Sequence, residues 1–172
     1  MANAQSRNMA GGLYMRTIYT DGACLSGRGG WAWARVSAEG QLEATGEGEH
    51  VETTNNRMEL QAAIAGLEAS DRQPVRVISD SKYVIDGASS WLKHWKLKGW
   101  KTKGNKPVKN RDLWERIDAL QSARLIEWRW VKGHDGHRWN EDCDRRANAR
   151  AGIVAGAHDA PFWAKPRLVK RQ

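Results

Sequence analysis

A chain of 172 residues with 40% hydrophobic and 28% charged residues has the size and balance of one globular domain, which excludes a disordered or membrane-embedded composition. Its 28 Lys and Arg against 20 Asp and Glu give a formal charge of +8, pointing to a polyanionic partner if the excess is localised. Two cysteines, Cys24 and Cys143, lack metal-ligand spacing and are too few for a disulfide framework, so both are expected to be reduced.

Residues 1–15 carry Gly, Asn, Gln and Ser without periodicity and read as a flexible extension. They also lack the apolar stretch of a secretory signal, and no later run reaches the roughly 18 to 20 apolar residues of a membrane span, so a cytoplasmic protein without membrane contact is expected. Strands are expected over Arg16–Thr20, Gly29–Val36 and Gln41–Gly48, a meander separated by turn residues. The period then changes: Leu60, Ile64 and Leu67 share one helical face within Thr53–Ser70, with Thr53, Thr54, Asn55 and Asn56 as candidate N-caps. Val75–Ser79 is a β-rich run ending on Asp80, and the helical SKYVIDGASSWL follows at once. A Gly- and Pro-broken basic segment leads to a helix over Arg111–Ser122, a strand over Arg124–Val131, the loop KGHDGHRWN and a helix over Glu141–Gly152. Residues 153–172 have two prolines and a basic end and read as an irregular tail. This order implies an α/β fold, a mixed sheet covered by helices, in the domain 16–152.

The charge is localised. Trp91 to Arg111 holds seven lysines, one arginine and no acid, and removing those eight from the 28 basic residues leaves 20 against 20 acidic ones. A charge run is usually a solvated face. This one is interleaved with Trp91, Trp95 and Trp100 and carries the entire excess, which favours a nucleic-acid surface in which Lys93, Lys96, Lys98 and Lys101 meet phosphates and some tryptophans serve the core.

Four acids stand out by position. Asp21 and Asp80 follow expected strands beside the small residues Gly22 and Ser81, where ligands of open α/β sheets tend to lie. Glu59 is early in the alanine-rich helix, and Asp144 is on the last helix with Ala147, Asn148 and Ala151 along its face. Gathered carboxylates repel unless a cation neutralises them, and oxygen ligands without Cys or paired His favour Mg²⁺ or Mn²⁺. Two such ions suit in-line phosphoryl displacement. Taken singly, each acid is more often a cap or a solvated charge than a ligand.

The local sequences lift the set. YTDGAC around Asp21, TTNNRMEL around Glu59, SDSKYV around Asp80, and WVKGHDGH with NEDCD around Asp144 resemble the bacterial ribonuclease HI family in order and spacing, from about Arg16 to Gly152. The resemblance implies a ribonuclease H-like fold, a five-stranded mixed sheet flanked by helices with a basic protrusion, or handle, over 91–111. It implies an endonuclease that hydrolyses the RNA strand of RNA/DNA hybrids by two-metal-ion catalysis, leaves 5′-phosphate and 3′-hydroxyl ends, and removes RNA primers and R-loops. Asp21, Glu59, Asp80 and Asp144 match the metal-binding acids, with Asp21 bridging two Mg²⁺ ions for which Mn²⁺ can substitute. His134 matches the family's mobile histidine, and an imidazole exchanges protons readily near neutral pH. Cys24, Asn55, Asn56 and Met58 match residues that approach the RNA strand or groove, and Thr54 matches part of a DNA-phosphate pocket; Thr54, Asn55 and Asn56 can cap the helix as well.

There are departures from the family pattern. The loop CLSGRGG after Asp21 is shorter than the usual Asn-Pro-containing loop, so the RNA or phosphate contact expected there is absent or supplied by Arg28. Lys82 stands where Gln is common and is a further candidate contact. A DNA resolvase or integrase-like enzyme would share the acids but not TTNNRMEL or the handle, and a non-catalytic hybrid-binding module would not need all four acids. No obligatory protein partner is indicated, and a monomer is expected because no heptad pattern stands out.

Overall fold

The computed structural model describes residues 15–152. The extension expected over 1–15 falls outside them except for Met15, which is buried, and the tail expected over 153–172 falls outside them entirely. Strands β1 (Arg16–Leu25), β2 (Arg28–Val36) and β3 (Leu42–His50) form the antiparallel meander, and α1 (Asn55–Glu68) leads to β4 (Val75–Ser79), which returns parallel to β1. Helix α2 (Lys82–Asp86) runs through a π turn (Gly87–Trp91) into α3 (Leu92–Leu97); beyond the basic loop come α4 (Arg111–Ser122), β5 (Ile126–Trp130) and α5 (Arg138–Arg150). The result is a five-stranded mixed sheet in the order β3-β2-β1-β4-β5, with β5 parallel to β4.

Strand β1 runs five residues beyond the expected end at Thr20, because antiparallel pairing with β2 continues to Leu25↔Arg28 across a two-residue turn. Ser26 and Gly27 both have positive φ, 50° and 80°, the backbone that matches the twist of a tight hairpin. Turn-forming residues such as Asp21 and Gly22 conceal this extension, since pairing with β2 overrides their low strand propensity. Parallel pairing with β4 ends at Tyr19↔Ile78, so Asp21 lies just past it, inside the hairpin.

Helices cover both faces. Beneath α1, Ile18, Trp33, Val75 and Val77 pack with Leu67, while Leu60 and Ile64 join Val84, Leu92, Leu113, Trp114 and Ile117 from α2 to α4. The opposite face meets α5 through small residues: Ala23, Ala32 and Ala34 against Cys143, Ala147 and Ala151. The approach is so close that a Cβ on Gly30 would fall on the Ala147 carbonyl. Small residues therefore bring the helix bearing Asp144 down onto the sheet.

The handle is held at its base by aromatic packing. Trp114 is completely buried, with Tyr83 and Trp95 each 5.4 Å from it between ring centroids. The Tyr83 hydroxyl accepts from Trp114 Nε1 at 3.0 Å and Asn110 Nδ2 at 3.1 Å. Trp95 and Trp100 are partly buried against this cluster, whereas Trp91 remains exposed. Lys93, Lys98 and Lys101 are exposed, and Lys96 pairs with Asp118 at 2.8 Å.

Candidate metal centre

Three elements deliver the acids. Asp21 projects from the hairpin extension of β1, Asp80 follows the last residue of β4, and Glu59 sits one turn into α1. Helix α1 starts where it does because the Thr54 side chain accepts from Arg57 N, supplying one of the N–H partners a helix start lacks. It lies directly on β1 at Gly22, where a Cβ would overlap the backbone of Met58 and Glu59. Only glycine next to Asp21 allows Glu59 this near.

One carboxylate oxygen each from Asp21, Glu59 and Asp80 lie within 4.8 Å of one another. Asp21 and Glu59 are buried, and Asp80 is partly so. Burial first, then repulsion from Glu59, Asp80 and Asp144, pushes the Asp21 carboxyl up to about 10, although the Gly22 N–H at 2.8 Å favours its charged form. Burial and then Asp80 likewise hold the Glu59 carboxyl well above the usual carboxylate range. Asp144 stands outside the three-residue group but adds to the repulsion on both, and its Oδ1 accepts from Asn148 Nδ2 at 2.8 Å. Of the four expected ligands, three converge and the fourth stands by.

The donor set fits a hard divalent cation. It consists of carboxylate oxygens alone, and Glu59 Oε2 is buried without a hydrogen-bond partner among the described residues, while Asn55 Nδ2 lies 3.5 Å from Oε1. A cation would occupy that orphaned oxygen and relieve the repulsion.

Around this centre, the structure places Thr54, Asn55 and Asn56 exposed at the start of α1, and Cys24 partly buried with its Sγ 3.5 Å from the Thr53 carbonyl. A second bond, Thr53 N–H to the Gly27 carbonyl at 3.0 Å, ties the shortened hairpin to the same loop. Met58, expected to approach the RNA strand or groove, is 2% exposed and packed beneath Gly29. Helical periodicity along α1 agrees with this, since Met58 and Ala62, four residues apart, are both buried. His134 is exposed in a left-handed conformation, φ 54°, on the loop between β5 and α5. Lys82 is exposed at the start of α2, and Arg28 is exposed with Glu49 as its ion-pair partner at 3.5 Å.

Sequence reasoning missed three residues around Asp80. Trp130 Nε1 donates to the Asp80 carbonyl at 2.8 Å, and buried Asn140 presents its Nδ2 3.4 Å from Asp80 Oδ2. Gly133 makes room for the carboxylate, since a Cβ there would come 2.5 Å from Asp80 Oδ2. All three lie in or beside the KGHDGH loop, but nothing local pairs them with an acid some 50 residues earlier; only the β4–β5 register does so.

A β3-β2-β1-β4-β5 sheet with carboxylates gathered where β1 and β4 part defines the class: a ribonuclease H-like fold with an acidic group that could hold a metal ion. The family model for RNase H matches residues 15–152, and the chain belongs to that family. It is 50% identical over 142 residues to a Ribonuclease H of Cereibacter sphaeroides, covering 79% of this chain and 93% of that protein. To a Ribonuclease H of Novosphingobium aromaticivorans it is 51% identical over 136 residues, covering 78% and 94%. Among solved structures it is similar to LC9-RNase H1, a type 1 RNase H with the type 2 active-site motif, with a TM-score of 0.72 at 30% identity over 84% of this chain and 75% of that one.

Proposed function

We propose that this protein is an endonuclease that hydrolyses the RNA strand of RNA/DNA hybrids using two divalent cations, Mg²⁺ with Mn²⁺ as a substitute, and leaves 5′-phosphate and 3′-hydroxyl ends. The observation that carries the reading is the convergence of Asp21, Glu59 and Asp80 in a chain of the RNase H family. Asp21, Glu59 and Asp80 would hold the cations, with Asp144 completing the set as its side chain leaves Asn148. When bound, the cations supply charge to activate the attacking water and stabilise the leaving 3′ oxygen.

The remaining work falls to the protein's own groups. Glycines beside Asp21 and Asp80 hold the acids at close range, so little reorganisation is needed when substrate arrives. His134, exposed on its glycine-flanked loop, carries protons and helps product leave. Cys24, Asn55 and Asn56 line the approach for the RNA strand, whose 2′-hydroxyls mark it in a shallow groove, and Thr54 meets a phosphate of the DNA strand. Lys93, Lys98, Lys101, Trp91 and Lys82 add attraction and stacking that do not depend on sequence. Removal of RNA primers and R-loops in the cytoplasm, by a monomer whose domain spans 16–152, is the corresponding cellular role.

Asp80→Asn tests the assignment. The variant is expected to bind a hybrid as the wild type does and to lose metal-dependent cleavage; undiminished cleavage would defeat it.

A further inference from the structure

Trp130 ends β5, with its backbone opposite Ser79 of β4. The ladder between these strands closes with Val131 N–H on the Ser79 carbonyl at 3.1 Å, so the Asp80 carbonyl lies one residue past it. The indole N–H of Trp130 takes the place of the missing strand partner, at 2.8 Å. The same ring carries the Lys82 ammonium, 4.9 Å from its centroid. Because 42% of Trp130 is exposed, core burial alone does not fix the ring; its hydrogen bond and cation contact do.

Lys82 is only two residues from Asp80 and ends in a flexible cation, so an unrestrained ammonium would be drawn onto the carboxylates and compete with a metal. The ammonium rests on the indole instead. We propose that Trp130 is a positioning residue with two separable duties. Its N–H pins the backbone of Asp80 for cation binding, and its ring holds Lys82 clear of the carboxylates, ready for a phosphate of the incoming hybrid. The proposal rests on the hydrolase reading above. Partners that orient a metal ligand from behind often matter nearly as much as the ligand.

Three variants separate the duties: Trp130→Phe keeps a ring without the N–H, Trp130→Leu keeps only apolar cover, and Lys82→Gln removes the cation. Two readouts need no turnover: the midpoint of magnesium chloride titration followed by thermal shift without substrate, and the salt dependence of hybrid binding in chelator. Trp130→Phe is expected to raise the magnesium midpoint about tenfold and to keep the wild-type salt slope. Lys82→Gln is expected to lower the slope by roughly 0.7 to 0.9 without weakening the magnesium response. Trp130→Leu is expected to show both effects, while thermal unfolding in chelator verifies that each variant is folded. A wild-type magnesium midpoint in Trp130→Phe would overturn the first duty, and a wild-type salt slope in Trp130→Leu would overturn the second. A wild-type enzyme that cleaves no hybrid would instead defeat the hydrolase reading, and the binding readouts would be unaffected.

Discussion

Replacing Asp21 with Asn removes one charge from a group whose carboxylate oxygens lie within 4.8 Å of one another. Two unit charges at that spacing repel by about 3.5 kcal/mol at an effective dielectric of 20. Without metal the folded chain avoids part of this by keeping a proton on Asp21, whose carboxyl is pushed up to about 10 from an ordinary 3.8. The folded state thus binds a proton that the unfolded chain releases, so metal-free stability declines as pH rises between those two values, by at most about 1.4 kcal/mol per unit for this group. At pH 7 the penalty has an upper bound of about 4.4 kcal/mol from that slope, comparable to the repulsion. Asn keeps an oxygen for the Gly22 N–H and carries no charge. Asp21→Asn is therefore expected to stabilise the chelated protein by about 2 to 4 kcal/mol at pH 7, a rise of roughly 5 to 15 °C in Tm. Urea denaturation at pH 5, 7 and 9, in chelator and in magnesium chloride, measures it. Metal should stabilise the wild type, by preferential binding to the folded state, and do little for the variant. A variant no more stable than wild type in chelator, or a wild type whose chelated stability rises from pH 5 to 9, would refute the reasoning.

Gly22→Ala would drive a Cβ into the α1 backbone at Glu59; it should cost about 1 to 3 kcal/mol by thermal unfolding and weaken the magnesium response by spreading the acids. Changing Lys93, Lys98 and Lys101 together to Gln should weaken hybrid binding and flatten its salt dependence by roughly 0.7 to 0.9 for each phosphate no longer neutralised, read by fluorescence anisotropy. Lys96→Gln should do less, because Asp118 already engages that ammonium. His134→Ala should lower kcat on the order of 100-fold while hybrid affinity holds, checked by single-turnover and steady-state rates together.

Much of the site was legible because its signals are local. Strand, acid and small residue recur at Asp21-Gly22 and Asp80-Ser81, Thr54 caps the helix that carries Glu59, and alanines on α5 announce a close approach to the sheet. What stayed hidden depends on pairing between distant segments. The extension of β1 through Asp21 exists only because β2 pairs with it, and the π turn at Gly87–Trp91 lies where Trp114 presses on a glycine. Trp130 and Asn140 reach Asp80 only through strand register and the docking of α5. That Met58 packs beneath the hairpin at Gly29 while Asn55 and Asn56 are exposed also depends on the contact between α1 and the β1–β2 hairpin, which TTNNRMEL alone does not show.

The most direct measurement is cleavage of a 5′-labelled RNA that is paired with DNA, paired with RNA, or left single, in magnesium chloride and in chelator. The RNA paired with DNA should be cut at internal positions, with 3′-hydroxyl ends on the labelled fragments, only in magnesium, and the other two substrates should survive. Cleavage of single-stranded or duplex RNA at a similar rate, or of the hybrid in chelator, would contradict a metal-dependent, hybrid-directed site at Asp21, Glu59 and Asp80.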